Sequence, residues 1–244
     1  MKFNTGSVIA AGLAVAAQAL AGDITGTITL NGTVPAEKII TTLRDDAICG
    51  KFYTAPPMTR FFVLGANKEL ADTIVVLKGK DLAKSSGATA EPVILDQQHC
   101  LYVPQIVAIQ TGQKLQVRNS DAQPVAMHNV HMNPVAAANQ AANAANINVA
   151  QMAGAADLTI TFPAAENFMK FQCDVHSWMF AWVTVVDHPY FAVSGKDGKF
   201  TIKNVPPGKY TISAMHRKVA PAGVEKEIEV TADGAKADFT LEIK

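Results

Sequence analysis

The stretch that decides the fold is Cys173-Asp174-Val175-His176-Ser177-Trp178-Met179, which lies between two apolar, β-rich runs at residues 167–172 and 181–186. A short loop between two predicted strands thus carries a thiolate, an imidazole and a thioether. Copper suits this mixture of sulfur and nitrogen donors, and a blue copper site takes two His, one Cys and a weak axial Met. The loop therefore predicts three ligands of a copper ion, and a second His must come from elsewhere in the chain.

The second histidine is offered by the segment Met127-His128-Asn129-Val130-His131. We expect His128 to be the ligand, and His131 is its competitor. Three residues further along an extended chain, the His131 side chain points to the opposite face, so both could ligate only if the chain bends. The remaining histidines have no partner at ligand spacing, and we interpret them as structural: His99, His188 and His216.

Two motifs together carry a resemblance to a known family. They are Cys173-x-x-His176-x-x-Met179 before a terminal strand, and Asn119-Ser120-Asp121 followed by His128-Asn129-Val130. This arrangement resembles the type 1 copper site of cupredoxins, with a loop spacing of the amicyanin type. The resemblance covers roughly residues 92–188 and implies a Greek-key β-sandwich that binds one type 1 copper ion. The metal ligands that it implies are His128, Cys173, His176 and Met179, and it implies that Asn129 braces the cysteine loop.

Other metal and cofactor sites fit the sequence less well. A structural zinc site would need more Cys or His and has no use for a thioether. A binuclear copper site needs a second Cys close to Cys173, and covalent haem attachment needs Cys-x-x-Cys-His; the sequence has neither. It also has no Gly-rich phosphate loop and no serine nucleophile elbow.

Residues 1–21 are typical of a secretory signal peptide. Lys2 provides a short positive start, an apolar run extends from Val8 to Leu20, and Ala19-Leu20-Ala21 provides a small-x-small cleavage site before Gly22. The alternative is an N-terminal membrane anchor, but the run is short for a spanning helix. We therefore expect a periplasmic or secreted protein whose mature chain has no membrane span.

The three cysteines take different roles in an oxidising compartment. Cys173 belongs to the stretch Cys173–Met179, which we call the metal loop because it is predicted to carry three ligands, and this leaves Cys49 and Cys100. A disulfide between them would close a loop of about 50 residues and stabilise the fold by about 4 kcal/mol. The alternative is two unrelated buried thiols.

Length and composition indicate an ordinary globular protein. The chain has 244 residues, 49% of them hydrophobic, which is enough for one or two domains with a proper core. Its formal net charge is zero. This balance gives no indication of binding to nucleic acid or to an anionic membrane surface.

The spacing of short strands predicts an all-β fold with two sandwiches. Strands at regular spacing fill residues 92–188, the predicted cupredoxin-like copper domain. In the tail, Asp197-Gly198-Lys199-Phe200 and Pro206-Pro207-Gly208-Lys209-Tyr210 resemble carboxypeptidase regulatory-like (transthyretin-like) sandwiches. Because residues 189–244 alone make a marginal core, we expect them to fold with residues 22–91 as a smaller, discontinuous sandwich into which the copper domain is inserted.

Some local patterns give more specific expectations. Asn31-Gly32 after an alternating run is a strong hairpin signal. Residues 34–60 should be rich in loops, with one short strand near Ile39. The Ala- and Asn-rich residues 135–150 lack a clear helix cap, and we expect an irregular excursion there.

These features favour one-electron transfer by a blue copper protein that is not an enzyme. We expect electrons to enter through a solvent-facing edge of His176, beside an apolar docking face around Trp178 and Phe180. The resemblance implies a transient redox partner, either a c-type cytochrome or a dehydrogenase. One alternative is a copper enzyme with an open coordination position, in which His131 or His216 joins the metal ligands. Another is a structural or adhesion β-sandwich with a vestigial metal site.

Overall fold

The computed structural model describes residues 21–79, 82–121 and 127–243. The predicted signal peptide, apart from Ala21, lies outside these residues. Strands dominate the described part of the chain, so the predicted all-β fold is confirmed. Within that part, no helix combines the length and the apolar character needed to cross a membrane.

The strands follow one another with short connections. They are β1 (Gly22–Asn31), β2 (Ile74–Lys78), β3 (Val93–Gln98), β4 (Leu101–Val103), β5 (Ile106–Gln110), β6 (Leu115–Asn119), β7 (Met127–Asn133), β8 (Asn148–Met152), β9 (Leu158–Ile160), β10 (Glu166–Gln172), β11 (Phe180–Val186), β12 (Phe191–Val193), β13 (Lys199–Val205), β14 (Gly208–His216), β15 (Ala220–Val230), β16 (Ala235–Lys236) and β17 (Phe239–Glu242). The helices are short: α1 (Thr41–Arg44), α2 (Ala137–Ala142) and two 3₁₀ turns, Cys49–Phe52 and Ala144–Asn146.

Strands β3 to β11 form two facing sheets. One sheet has the order β5-β11-β10-β7-β8, and the other has the order β4-β3-β6-β9. Their inner faces enclose a core that includes Leu95, Leu115, Phe162 and Phe171. Cys173 belongs to the same core, so the metal loop is built on the edge of a well-packed sandwich.

Strands β1 and β2 pair with the C-terminal strands. One sheet has the order β13-β1-β16, with β17 also paired to β1, and the other has the order β12-β2-β14-β15. The alternation of β1 directs Ile24, Ile28 and Leu30 into the core between these sheets. On the same face, Gly26 is required because a Cβ there would collide with the carbonyl of Ala237. The predicted domain boundaries at residues 91/92 and 188/189 stay a prediction.

The two pairs of sheets meet at an apolar contact. Ile74, Val76 and Met215 from one pair pack with Ile106 and Val186 from the other. Beside this cluster the guanidinium of Arg217 lies 4.4 Å from the ring centre of Trp182, a cation–π contact. The cluster and the cation–π contact join the sandwich of β3 to β11 to its neighbour.

Residues 33–72, which we call the N-terminal excursion, lie against the sandwich of β3 to β11. Leu43 and Cys49 from the excursion pack with Cys100 and Trp178. Cys49 and Cys100 form a disulfide with their Cα atoms 5.9 Å apart, as the sequence predicts. The excursion is thereby attached covalently beside the metal loop.

Three local expectations need correction. The hairpin expected at Asn31-Gly32 is wrong: Gly32 does adopt the turn conformation with φ 102°, but β1 pairs with distant strands because no alternating run follows the turn. The strand expected near Ile39 is a single bridge to Met58.

The third correction concerns residues 135–150, where an irregular excursion was expected. They contain α2, and the start of β8 pairs with β7. Helix α2 is held by the buried Asn139, which donates to the Ala164 carbonyl and to the Glu166 carboxylate. The Glu166 carboxylate also accepts the backbone N–H groups of Val135 and Ala136 at the start of the helix, and these bonds replace the cap that the local sequence lacks.

Candidate metal centre

Three predicted ligands converge on one point. The ligand atoms of His128, Cys173 and His176 all lie within 4.8 Å of one another. Nδ1 of His176 lies 3.0 Å from Nδ1 of His128 and 3.6 Å from the Cys173 sulfur. The meeting follows from topology, because β10, which leads into the metal loop, is the direct neighbour of β7, which carries His128.

Cys173 is set up as a thiolate. Its side chain is 2% exposed, and its sulfur accepts the backbone N–H of Asn129 at 3.5 Å. Burial acts to raise the pKa of this thiol, but hydrogen bonds from His128, His176 and the Asn129 amide outweigh burial and lower the pKa to about 6. The residue is therefore largely in the form that binds soft metals near neutral pH.

The metal loop is closed by its own backbone. The Met179 N–H donates to the His176 carbonyl at 2.9 Å, and the Cys173 N–H donates to the Met179 carbonyl at 3.0 Å. Met179 itself is fully buried in the core that contains Cys173. The loop thus presents Cys173 and His176 together at its start and buries Met179 at its end.

His128 is held from behind by Asp121. Its Nε2 lies 2.8 Å from the Asp121 carboxylate, and both side chains are buried. A proton on Nε2 directed to this carboxylate leaves Nδ1 as the atom that faces Cys173 and His176. Burial acts to lower the pKa of His128, but the hydrogen bonds to Asp121 and Cys173 raise it to about 9. A carboxylate behind the outer nitrogen is the usual support of a metal-binding histidine.

Asp121 also binds the chain around the disulfide. Its carboxylate accepts the backbone N–H of Cys100 at 2.8 Å and the backbone N–H of His99. Burial acts to raise the pKa of Asp121, but these bonds and the one to His128 lower it. Sequence reasoning placed Asp121 in the family motif but gave it no role. The sequence feature that could have indicated this role is the position of a carboxylate just after the end of β6 and seven residues before His128.

Asn129 joins β7 to the metal loop. Its side-chain oxygen accepts the backbone N–H of Asp174 at 2.6 Å, and its Nδ2 donates to the Asp174 carboxylate at 3.1 Å. Together with the hydrogen bond from the Asn129 backbone N–H to the Cys173 sulfur, these contacts hold the loop at three points. This is the bracing position that the family resemblance implies for Asn129.

The other histidines lie apart from this group. His131 is 30% exposed and binds Asp174 through Nδ1 at 2.9 Å. His216 is buried against the ring of Phe62, and burial next to Arg217 lowers its pKa to about 4. Among the described residues, the clusters of potential ligand atoms contain neither of them, nor His99 or His188.

The outer edge of His176 is in contact with the disulfide. Its Nε2 lies 3.7 Å from the Cys49 sulfur, and its ring centre lies 5.1 Å from that of Trp178. Trp178 in turn donates its Nε1–H to the Cys100 carbonyl at 3.1 Å. His176 is half-buried, and part of the edge expected to face solvent is in contact with the disulfide of the N-terminal excursion.

The disulfide also decides which cluster can hold a metal. Cys49, Cys100 and His176 lie together, as do Cys100, Asp121 and His128. In both clusters the cysteine sulfur is part of the disulfide and is not a thiolate. Cys173 is not part of a disulfide, so its sulfur can bind a metal. In this group Asp121 also holds His128, and the Asn129 N–H donates to the Cys173 sulfur.

Comparison with known proteins gives a partial match. Residues 189–244 match the family described as BOS complex subunit NOMO1-like, second beta sandwich domain. That family is a β-sandwich, as predicted for this tail, and the regulatory-like assignment itself stays a prediction. No curated protein matches the chain.

Solved copper proteins share a weak structural similarity with part of the chain. The Cu-containing nitrite reductase NirK from Thermus scotoductus SA-01 is 15% identical, with a TM-score of 0.33, over 43% of this chain and 27% of that chain. Amicyanin from Paracoccus versutus is 17% identical, with a TM-score of 0.31, over 46% of this chain and 97% of that chain. A Cu(I) form of a mutant amicyanin is 16% identical, with a TM-score of 0.30, over 46% of this chain and 98% of that chain. At this level of similarity, the function has to be inferred from the geometry of the site.

Proposed function

We propose that this protein binds one copper ion and transfers single electrons. The ligands would be Nδ1 of His128, the Cys173 thiolate, Nδ1 of His176 and, more weakly, the Met179 thioether. The observation that carries the proposal is the convergence of one buried thiolate and two imidazoles within 4.8 Å. Each of these three groups has a further contact that holds it: the Asn129 N–H with Cys173, the Asp121 carboxylate with His128, and the disulfide with His176.

The chemistry of the donor set fits copper. One thiolate and two imidazoles with a nearby thioether form the set that favours a blue copper site. Structural zinc sites in proteins usually take more cysteine and have no use for methionine. Copper bound here would supply a centre that changes its charge by one electron at a time.

The residues around the ligands would keep that centre rigid. Asp121 holds His128, and Asn129 holds both the Cys173 sulfur and the metal loop. Because these groups are tied to neighbouring strands, the ligand positions would change little between redox states. The amide hydrogen bond to the Cys173 sulfur would also contribute to the reduction potential.

Export to the periplasm or beyond is part of the proposal. It is supported by the signal-like sequence at residues 1–21 and by the Cys49–Cys100 disulfide, which is typical of oxidising compartments. The partner we propose is a c-type cytochrome or a dehydrogenase. Since the disulfide contacts Nε2 of His176, electrons would enter through Trp178, which is half-buried and lies beside the His176 ring.

The copper-enzyme alternative requires an additional histidine in the metal shell. His131 is held by Asp174, and His216 is packed against Phe62 in the other sandwich. No described contact brings either of them to the group around Cys173. Electron transfer therefore remains the function that we propose.

Optical and EPR spectra of the copper-loaded protein test the proposal. We expect an intense visible band from thiolate-to-copper charge transfer, lost in Cys173→Ala and retained in His131→Ala. A colourless Cu(II) form with an ordinary tetragonal EPR signal would contradict a blue copper site. Binding of azide to Cu(II) would instead favour the enzyme alternative.

A further inference from the structure

A cavity of about 340 Å³ lies between the N-terminal excursion and the sandwich of β3 to β11. Its apolar walls are formed by Ile40, Met58, Phe61, Leu101, Trp178 and Phe180. Most of these side chains are half-buried, while Met58 is exposed at 42%. The cavity is thus an apolar recess that opens to solvent on one side.

The size and walls of the cavity suit a flat aromatic molecule. A closed apolar cavity of about 150 Å³ is enough to bind benzene. The present volume therefore has room for a two-ring system. Four aromatic side chains line it, namely Phe61, Tyr102, Trp178 and Phe180, and these can contact a ligand ring by stacking or by an edge-to-face arrangement.

The polar groups of the cavity favour a ligand with negative charge or acceptor oxygens. Lys38 and Arg60 line it, and in the described part of the chain neither has a carboxylate within ion-pair distance. The charge of Arg60 nevertheless reaches the half-buried Asp72: burial has the larger effect and raises the pKa of that carboxyl, while Arg60 acts to lower it. The carboxylate of the neighbouring Glu37 accepts hydrogen bonds from the backbone N–H groups of Phe61 and Phe62. Gln105 adds an amide that makes no side-chain hydrogen bond with the described residues. The recess thus presents two cationic side chains, neither of them in an ion pair with a described residue.

Trp178 connects this cavity with the metal centre. One part of the side chain lines the recess, and its ring lies 5.1 Å from that of His176. The hydrogen bond from its Nε1 to the Cys100 carbonyl fixes the indole in this position. A ligand in the recess would therefore be one side chain away from a metal ligand.

We propose that this cavity binds a small two-ring aromatic molecule that carries anionic or acceptor oxygens, as naphthoquinone derivatives do. The choice of a redox-active ring rests on the proposed function, because the hydroquinone form of such a molecule could give one electron through Trp178 to the oxidised centre and release one proton to solvent. The binding itself rests on the cavity alone. The proposal can therefore be tested on copper-free protein.

The test is a titration of copper-free protein with 1,4-naphthoquinone-2-sulfonate, followed by calorimetry and by tryptophan fluorescence. We expect saturable binding with one site and quenching that is lost in Trp178→Phe, where Trp182 is the remaining tryptophan. Loss of the Arg60 charge in Arg60→Gln should weaken binding about tenfold, since a hydrogen bond to a charged group contributes about 1.5–3 kcal/mol. Ile40→Trp should block the recess.

A matched control is Arg44→Gln, since Arg44 is an exposed arginine of the same excursion that pairs with Asp45 and does not line the cavity. Its affinity should equal that of the wild type. Absence of saturable binding, or equal weakening by Arg44→Gln and Arg60→Gln, would overturn the proposal, as would unchanged binding in a folded Ile40→Trp protein. Failure of the copper site would appear separately, in the spectra of the copper-loaded protein.

Discussion

The sulfur of Cys49 lies 3.7 Å from Nε2 of His176, so the disulfide touches the outer edge of a candidate metal ligand. The same disulfide reaches the other histidine indirectly. The backbone N–H of Cys100 donates to Asp121, and Asp121 holds Nε2 of His128. The disulfide therefore contacts the imidazole of His176 directly and that of His128 through Asp121. It also attaches the N-terminal excursion to the sandwich.

Removal of the disulfide should affect both stability and the metal centre. For Cys49→Ala/Cys100→Ala we expect a loss of about 4 kcal/mol in the free energy of unfolding, because the bridge closes a loop between residues 51 positions apart. Urea unfolding of the copper-free protein measures this loss. The EPR spectrum of the copper-loaded variant should broaden as His176 gains freedom. A variant with wild-type stability and an unchanged spectrum would contradict the supporting role.

Asp121 should control copper affinity without being a ligand. Asp121→Asn keeps the shape of the side chain but removes its charge, so His128 loses the carboxylate that orients its ring. Such a loss typically weakens metal binding by about 10–100-fold. Competition with a chromophoric chelator measures the affinity. Asp157→Asn is the control, since Asp157 pairs with Arg118 on the surface, and equal affinities for the two variants would contradict this role.

His216 should make stability depend on pH. Burial lowers its pKa to about 4 from an ordinary value of 6.5, so the unfolded chain binds a proton that the folded chain does not. Stability is fully present above pH 6.5 and is lost as the pH falls towards 4, by about 3 kcal/mol for this group. Urea unfolding across this range measures the slope. In His216→Gln the loss of unfolding free energy between pH 6.5 and 4 should be smaller by that amount. If the wild type and the variant show the same dependence on pH, His216 is not the group responsible.

Asn129 should matter for the spectrum more than its neighbour His131 does. Asn129→Ala removes the side-chain bonds to Asp174 that hold the metal loop, while the backbone N–H to the Cys173 sulfur stays in place. We expect a shifted charge-transfer band and faster loss of copper to a chelator. His131→Ala also removes a contact of Asp174 and serves as the control. A larger shift in His131→Ala than in Asn129→Ala would contradict this account.

The strands and the metal loop could be predicted because their signals are local. Alternation in β1 lies within a short stretch of sequence, and the strand buries its apolar residues as that pattern indicates. The spacing of Cys173, His176 and Met179 is equally local, and the structure closes this stretch as a loop, while the roles of the three residues as ligands stay a prediction. The disulfide could be predicted by counting cysteines, because three residues leave one pair once Cys173 is assigned.

The parts that sequence reasoning missed depend on contacts between distant segments. Nothing near His176 in the sequence shows that residues from the N-terminal excursion contact its outer edge. The support of His128 by Asp121 requires a carboxylate buried together with its partner, and burial cannot be read from the motif. Helix α2 forms because Asn139 finds partners near Glu166, which lies far along the chain.

The central claim is that Cys173, His128 and His176 share one copper ion. A crystal structure of the copper-loaded protein, with anomalous diffraction recorded at the copper edge, tests it most directly. The account predicts one anomalous peak bonded to the Cys173 sulfur and to Nδ1 of both histidines. A peak at any other position, or copper-loaded crystals with no peak between these three side chains, would contradict it.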